Sequence, residues 1–271
     1  MCRMGTHTAR GFCLRKGAAL IFNILHMDTC KRVELQIGIP EDLAIFAHAV
    51  NHGGLSGRSD VTVRLTADLD MTGFRWVPIG FEEAEFAGLF DGCGHTIRGL
   101  TIQKKGPGNY GLFGHVSGTI RNLTVTGEIH NLAGDPHSAV GGIAGCLTGG
   151  IIRNCAADFA VDGGGMPLGL SAGGVVGLAE ANSLIQNCRS SVRMENIQTS
   201  LLYLGGIVGA LLDSRAEDCA FAISLTAQGG EGQYIQAGDV TGSIQGESAL
   251  VNCVHWETAD GTFFEREEAV T

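Results

Sequence analysis

The chain has 271 residues, of which 42 are glycine and 5 proline, with 44% hydrophobic content, 17% charged residues and a formal net charge of −10. Glycine at about twice its average frequency, without a three-residue period, excludes collagen; the apolar content excludes a disordered chain; and the negative charge disfavours binding to nucleic-acid phosphates or anionic lipid. Burial of apolar surface combined with this much glycine suits an all-β protein with frequent tight corners.

At the amino terminus, Arg3, Arg10, Arg15 and Lys16 precede the apolar run GAALIFNIL, in imitation of a secretory leader. The run is short, contains Asn23 and leads into HMDTCKR instead of a small-residue cleavage site. Residues 1–36 are therefore expected to form a poorly defined leader, with Met27 an alternative start. No stretch approaches the roughly 18 apolar residues of a membrane-spanning helix. Residues 37–110 are assigned to an N-terminal cap and the first coils. Within them, PEDLAIFAHAVNHGG puts Leu43, Phe46, Ala47 and Val50 at helical spacing, with Glu41 and Asp42 in the first turn and Gly53 after the end, which predicts a helix near 41–52. DVTVRLTADLDM then alternates, with Val61, Val63, Leu65, Leu69 and Met71 on one face of a strand.

From residue 111 to 271 the chain repeats. Glycine anchors at Gly111, Gly141, Gly173, Gly205 and Gly238 stand 30, 32, 32 and 33 residues apart, and most open a stretch such as GGIAG, GGVVG or GGIVG. A shorter copy, GLFDGCGHTIRGLTI, starts at Gly88. Downstream of the anchors lies a second column: Asn122-Leu123, Asn154-Cys155, Asn187-Cys188, Asp218-Cys219 and Asn252-Cys253. An apolar residue three places before each Leu or Cys breaks strand alternation, which implies a bend. Asn tolerates the left-handed conformation a bend needs, and Gly99 is expected to fill that place in the first copy. Each repeat thus reads as about three short strands: the glycine-framed one, the one around Asn-Cys, and a less regular third. A unit this small cannot bury its own apolar face, so the copies must stack into a β-solenoid, one coil per repeat. The structural ladder is then Asn122, Asn154, Asn187, Asp218 and Asn252, with Cys155, Cys188, Cys219 and Cys253 inward, reduced and packed as small apolar residues.

These columns, with EDLAIFAHAVN, VRLTADLDMTGFRWVPIG and YGLFGHVSGTIRNLTV, resemble the GLUG-motif repeat proteins over roughly residues 37–255. Such segments are familiar from large bacterial surface and secreted proteins, many adhesin-like, and from the flanks of immunoglobulin-A-specific metalloproteases. The resemblance implies a right-handed parallel β-helix, an extracellular or cell-surface location, and a non-catalytic role as stalk or as a binding surface for a glycan or protein. The chain departs from the exported members in showing no clear leader or anchoring tail, and its last anchor drifts to GDVTG.

Chemistry is sparse. No His-Glu-x-x-His occurs, so protease activity is not carried over. His48 and His52 have i, i+4 spacing but lack a third ligand, so no metal is expected; the glycine pairs lack the Lys-Ser/Thr of a phosphate loop, so no cofactor is expected either. Eight residues after the Asn column lie His130, Asp162 and Glu195, which would be neighbours on successive coils if register holds, a candidate acid–base or cation cluster. Parallel β-helices also carry polysaccharide lyases and glycosidases, so a carbohydrate-active enzyme is the alternative. Loops near Asp135-Pro136, DGGGMPLG from Asp162 and QGGEGQ from Gln228 are the expected display loops.

Overall fold

The structure is a computed structural model that describes residues 32–103, 108–130, 138–162, 170–197, 201–227 and 234–255. Among these residues the strands form a 13-stranded sheet and two 5-stranded sheets, and every strand pairing is parallel. Parallel neighbours come from successive passes of the chain around one axis, so the molecule is a β-solenoid, with one helix among the described residues near one end.

One coil shows the path. Ser138–Gly141 forms a first strand, Gly142 and Ile143 turn a corner, Ala144–Thr148 forms the second strand, Gly149 and Gly150 turn again, and Ile151–Asp162 runs back with a bend at Asn154. The next coil repeats these stations in Leu170–Gly173, Val176–Glu180, Leu184–Gln186 and Arg189–Ile197. The glycine-framed stretch is therefore not a strand, as expected above, but the corner between two. Two apolar residues such as Ile143 and Ala144 lie buried there, while the flanking backbone passes very close to its neighbours. A Cβ on Gly141 would lie 2.7 Å from Val176 Cα of the next coil, and one on Gly145 would lie 2.5 Å from Tyr110 N of the previous coil. These glycines answer a need for close approach, since neither has a positive φ.

Further expectations change. The strand before each anchor was not anticipated. The limb after the bend, expected to be the least regular, is the longest, and it keeps register from Asp162 to His130 on one side and to Glu195 on the other. The copy at Gly88 is displaced: Leu89–Asp91 pairs with Thr119–Arg121, and it is Ile79-Gly80 that lies against Phe113-Gly114. Gly99 does have a positive φ, +68°, yet it sits at a bulge between Ile97 and Leu100 and not below Asn122. The left-handed place under Asn122 belongs to the turn at Cys93, φ 53°, whose neighbour Gly94 donates its N–H to Asn122 O.

Val33–Ile37, all but its last residue within the expected leader, is a strand paired with Val61–Leu65, its Val33, Leu35 and Ile37 buried in strict alternation. It starts an inward column that runs in register through Leu35, Val63, Phe90, Ile120, Ile152, Ile185, Ala216 and Leu250. The helix, Pro40–His52, begins on a proline suited to a first turn and buries Leu43, Phe46, Ala47 and Val50 against this end. Phe46 meets Phe86 edge to face at 5.8 Å, and Phe90 meets Phe113 at 5.3 Å, so aromatic contacts carry the cap into the coils behind it. Asn51 fixes its far end: its amide donates to Pro78 O at 2.9 Å, and its Oδ1 accepts the N–H groups of Gly80 and Phe81.

Candidate functional site

The bend column carries the most ordered polar structure. Asn122, Asn154, Asn187, Asp218 and Asn252 all have φ between 49° and 54°. Their side chains then line up across the coils. Asn122 donates to Asp91 Oδ1 at 3.0 Å, Asn154 to Asn122 Oδ1 at 3.2 Å, Asn187 to Asn154 Oδ1 at 2.9 Å and Asn252 to Asp218 Oδ1 at 3.1 Å. Every donor points one coil back. Asp218, a carboxylate, accepts from Asn252 and has no N–H to pass on to Asn187, so it interrupts the chain of donors. At the start, Asp91 is largely buried. Burial pulls its pKa up, but the Cys93 N–H, the Asn122 amide and the Arg121 guanidinium, 2.7 Å away, hold it below the usual carboxylate range.

A second polar column was missed by sequence reading. Ser183 N–H donates to Ser214 Oγ and Ser214 N–H to Ser248 Oγ, each at 3.1 Å, while the Ser183 hydroxyl reaches Glu180 O at 2.6 Å. These serines stand four residues before the bend residue, a place filled by Gly118 and Gly150 in earlier coils. The constant offset was the available signal.

The thiols of Cys155, Cys188 and Cys219 are buried and that of Cys253 half-buried; all four are unbridged. Each leans on the carbonyl two residues back, as in Cys219 to Glu217 O at 3.2 Å. Burial pushes the Cys188 thiol far up; hydrogen bonding to Cys188 pushes Cys219 to about 12, and hydrogen bonding to Cys219 pushes Cys253 up as well. Groups protonated this firmly are not nucleophiles at neutral pH.

The candidate His130, Asp162 and Glu195 do fall in one row on successive coils. His130 Nε2 is 3.2 Å from Glu128 Oε1 and its Nδ1 is 3.9 Å from Asp162 Oδ2. The row lies on the open outer face of the long limb, with the Glu128 and Asp162 side chains about half exposed. The clefts described in the structure are lined elsewhere, around Ser183 and Ser214, around Asn51 and Phe81, and along Gly88, Gly118 and Gly150. His48 and His52 are exposed with rings 4.9 Å apart at the helix end. Among the described residues no three His, Cys, Asp or Glu side chains converge into a site of three or more ligands. Trp76, whose indole donates to Leu112 O, and Tyr110 are buried in the core, so neither presents a ring on which a sugar could stack. The display loops around Asp135-Pro136, Gly163–Gly169 and Gln228–Gln233 lie outside the described residues, as do Cys2, Cys13, Cys30 and Trp256. Among the described residues no helix is long and apolar enough to cross a membrane.

The GLUG motif is matched at residues 137–161, the stretch from the first strand of one coil through its corner to the limb after the bend. Over 103 residues the chain is 38% identical to a candidate Gly-rich membrane protein of Evansella cellulosilytica, and over 143 residues it is 31% identical to halomucin of Haloquadratum walsbyi. These matches take in 36% and 48% of this chain but 11% and 2% of those much longer proteins. Among solved structures, a candidate immunoglobulin A1 protease from Bacteroides ovatus superposes with a TM-score of 0.53 over 81% of this chain and 74% of that one, at 19% identity. At that identity the likeness is one of fold.

Proposed function

We propose that this chain, a GLUG-motif β-solenoid, is a non-catalytic surface module whose rigid stack holds connecting segments in a row for contact with a glycan or protein. One observation carries the reading. The segments after His130, Asp162, Ile197 and Ala227 all leave from the end of the same long limb, whose strands stay parallel and stacked, with one irregularity between Glu195 and Ile197. Contacts too weak singly can then add along the axis, because the spacing of their roots is set by the sheet. The polar order of the described coils goes into stacking, in the Asn and Ser columns, and the thiols of Cys155, Cys188 and Cys219 are enclosed. The names of the long relatives, a membrane protein and a halomucin, favour a place at the cell surface, and the −10 charge favours neither nucleic acid nor membrane insertion as partner.

The row His130, Asp162 and Glu195 favours a second reading, a glycosidase or lyase. Glycan-array binding and reducing-sugar release on the same glycans separate the two. Binding without release, unchanged in His130→Ala, supports the module. Release that is lost in His130→Ala and Asp162→Asn overturns it.

A further inference from the structure

The four bend-column cysteines do nothing in the account above beyond filling space, yet their arrangement is unusual. The pairings on either side of each cysteine put Cys155, Cys188, Cys219 and Cys253 directly over one another on consecutive coils. Cys188, Cys219 and Cys253 each also reach a carbonyl one coil back, at 3.5 to 3.8 Å. Strands in register are about 4.8 Å apart. Two metal–sulfur bonds of about 2.3 Å set in line span about 4.6 Å. Side chains stacked at that strand spacing come close to the separation that a linear two-sulfur metal site needs.

The surroundings select the metal. Among the described residues no third His, Cys, Asp or Glu converges on the pair, whereas structural zinc takes four protein ligands and calcium six to eight oxygens. A soft monovalent d10 ion, copper(I), accepts two thiolates alone. Access selects the pair. Cys155, Cys188 and Cys219 are enclosed, but Cys253 is half-buried on the last described coil, where Leu250 and Val240 are also only partly covered.

We propose that Cys219 and Cys253 form a two-coordinate copper(I) site at this end of the stack. Binding converts two thiols and one copper(I) ion into a bis-thiolate copper anion and two released protons, with no change of oxidation state. The cation supplies the driving force that deprotonates thiols otherwise held neutral. A copper ion shared between coils would also tie the last coil to the one before it.

The test uses the full chain, reduced and free of oxygen, with Cys2, Cys13, Cys30 and Cys93 replaced by serine. Copper(I) is added as its acetonitrile complex against a colorimetric copper(I) chelator, and the ultraviolet thiolate-to-copper band is recorded. The expected result is one tightly held copper(I) and two protons released per chain. In Cys253→Ser the affinity falls roughly a hundredfold or more, in Cys253→Met it is partly kept, and in Cys155→Ser it is unchanged. Cys253 is half-exposed, so its variants are expected to fold, as circular dichroism will verify. No copper uptake, or equal uptake in Cys253→Ser, overturns the proposal.

Discussion

Replacing Asn154 separates the two reasons for asparagine at the bend. Its side chain is exposed, so substitution opens no cavity, and its φ is 53°. Alanine there pays the left-handed penalty of about 1–2 kcal/mol and loses two exposed amide bonds, to Asn122 and from Asn187, at about 0.5 kcal/mol each. Asn154→Ala should therefore cost about 2–3 kcal/mol. Glycine accepts the backbone angle but loses the same bonds and adds freedom to the unfolded chain, so Asn154→Gly should cost about 1 kcal/mol. Aspartate tolerates the angle and still accepts from Asn187, so Asn154→Asp loses only the bond to Asn122, about 0.5 kcal/mol. Urea unfolding followed by far-ultraviolet circular dichroism gives the order. If alanine is no worse than glycine, left-handed geometry is not what selects the residue.

The same column predicts a gain: Asp218→Asn supplies the missing donor to Asn187 while still accepting from Asn252, and should stabilise by about 0.5 kcal/mol in the same assay. Gly173→Ala forces a Cβ to within 2.6 Å of Val208 Cα and Gly209 N, and should cost about 3 kcal/mol, read as a lower urea midpoint. Asp91 has a depressed pKa in the folded state, so the stability it contributes is present above the unfolded value of about 3.9 and is lost as pH falls through the folded one; melting temperature should drop more between pH 5 and pH 3 in the wild type than in Asp91→Asn. Finally, Cys155, Cys188 and Cys219 should resist iodoacetamide at pH 8 in the native protein and react once it is unfolded, as peptide mass mapping will show.

Much of this architecture could be read from residues whose chemistry leaves few choices. The helix announced itself through Leu43, Phe46, Ala47 and Val50, and the bend through asparagines at a position where apolar spacing goes from two to three. Other features left weaker marks. Ser138–Gly141, Leu170–Gly173 and Leu201–Gly205 share little beyond small and apolar character, so the strand before each corner had no signature. The serine column was masked by Gly118 and Gly150, which solve the same crowding without a side chain. Leu-Phe occurs after both Gly88 and Gly111, and that coincidence shifted the first coil out of register. The row of His130, Asp162 and Glu195 could be placed from the sequence only on condition that the long limb held register. Whether it lined a groove depended on the shape of the outer face.

The stacking itself is open to a distance measurement. Thr101, Glu128, Ala160, Arg193 and Ser224 follow one another in register across four coil steps. Spin labels on cysteines introduced at Thr101 and Ser224, with the exposed native cysteines replaced, should lie about 19 Å apart at the backbone, four spacings of about 4.8 Å. A double electron–electron resonance distribution centred well beyond that, or spread broadly, would contradict the stacked-coil account.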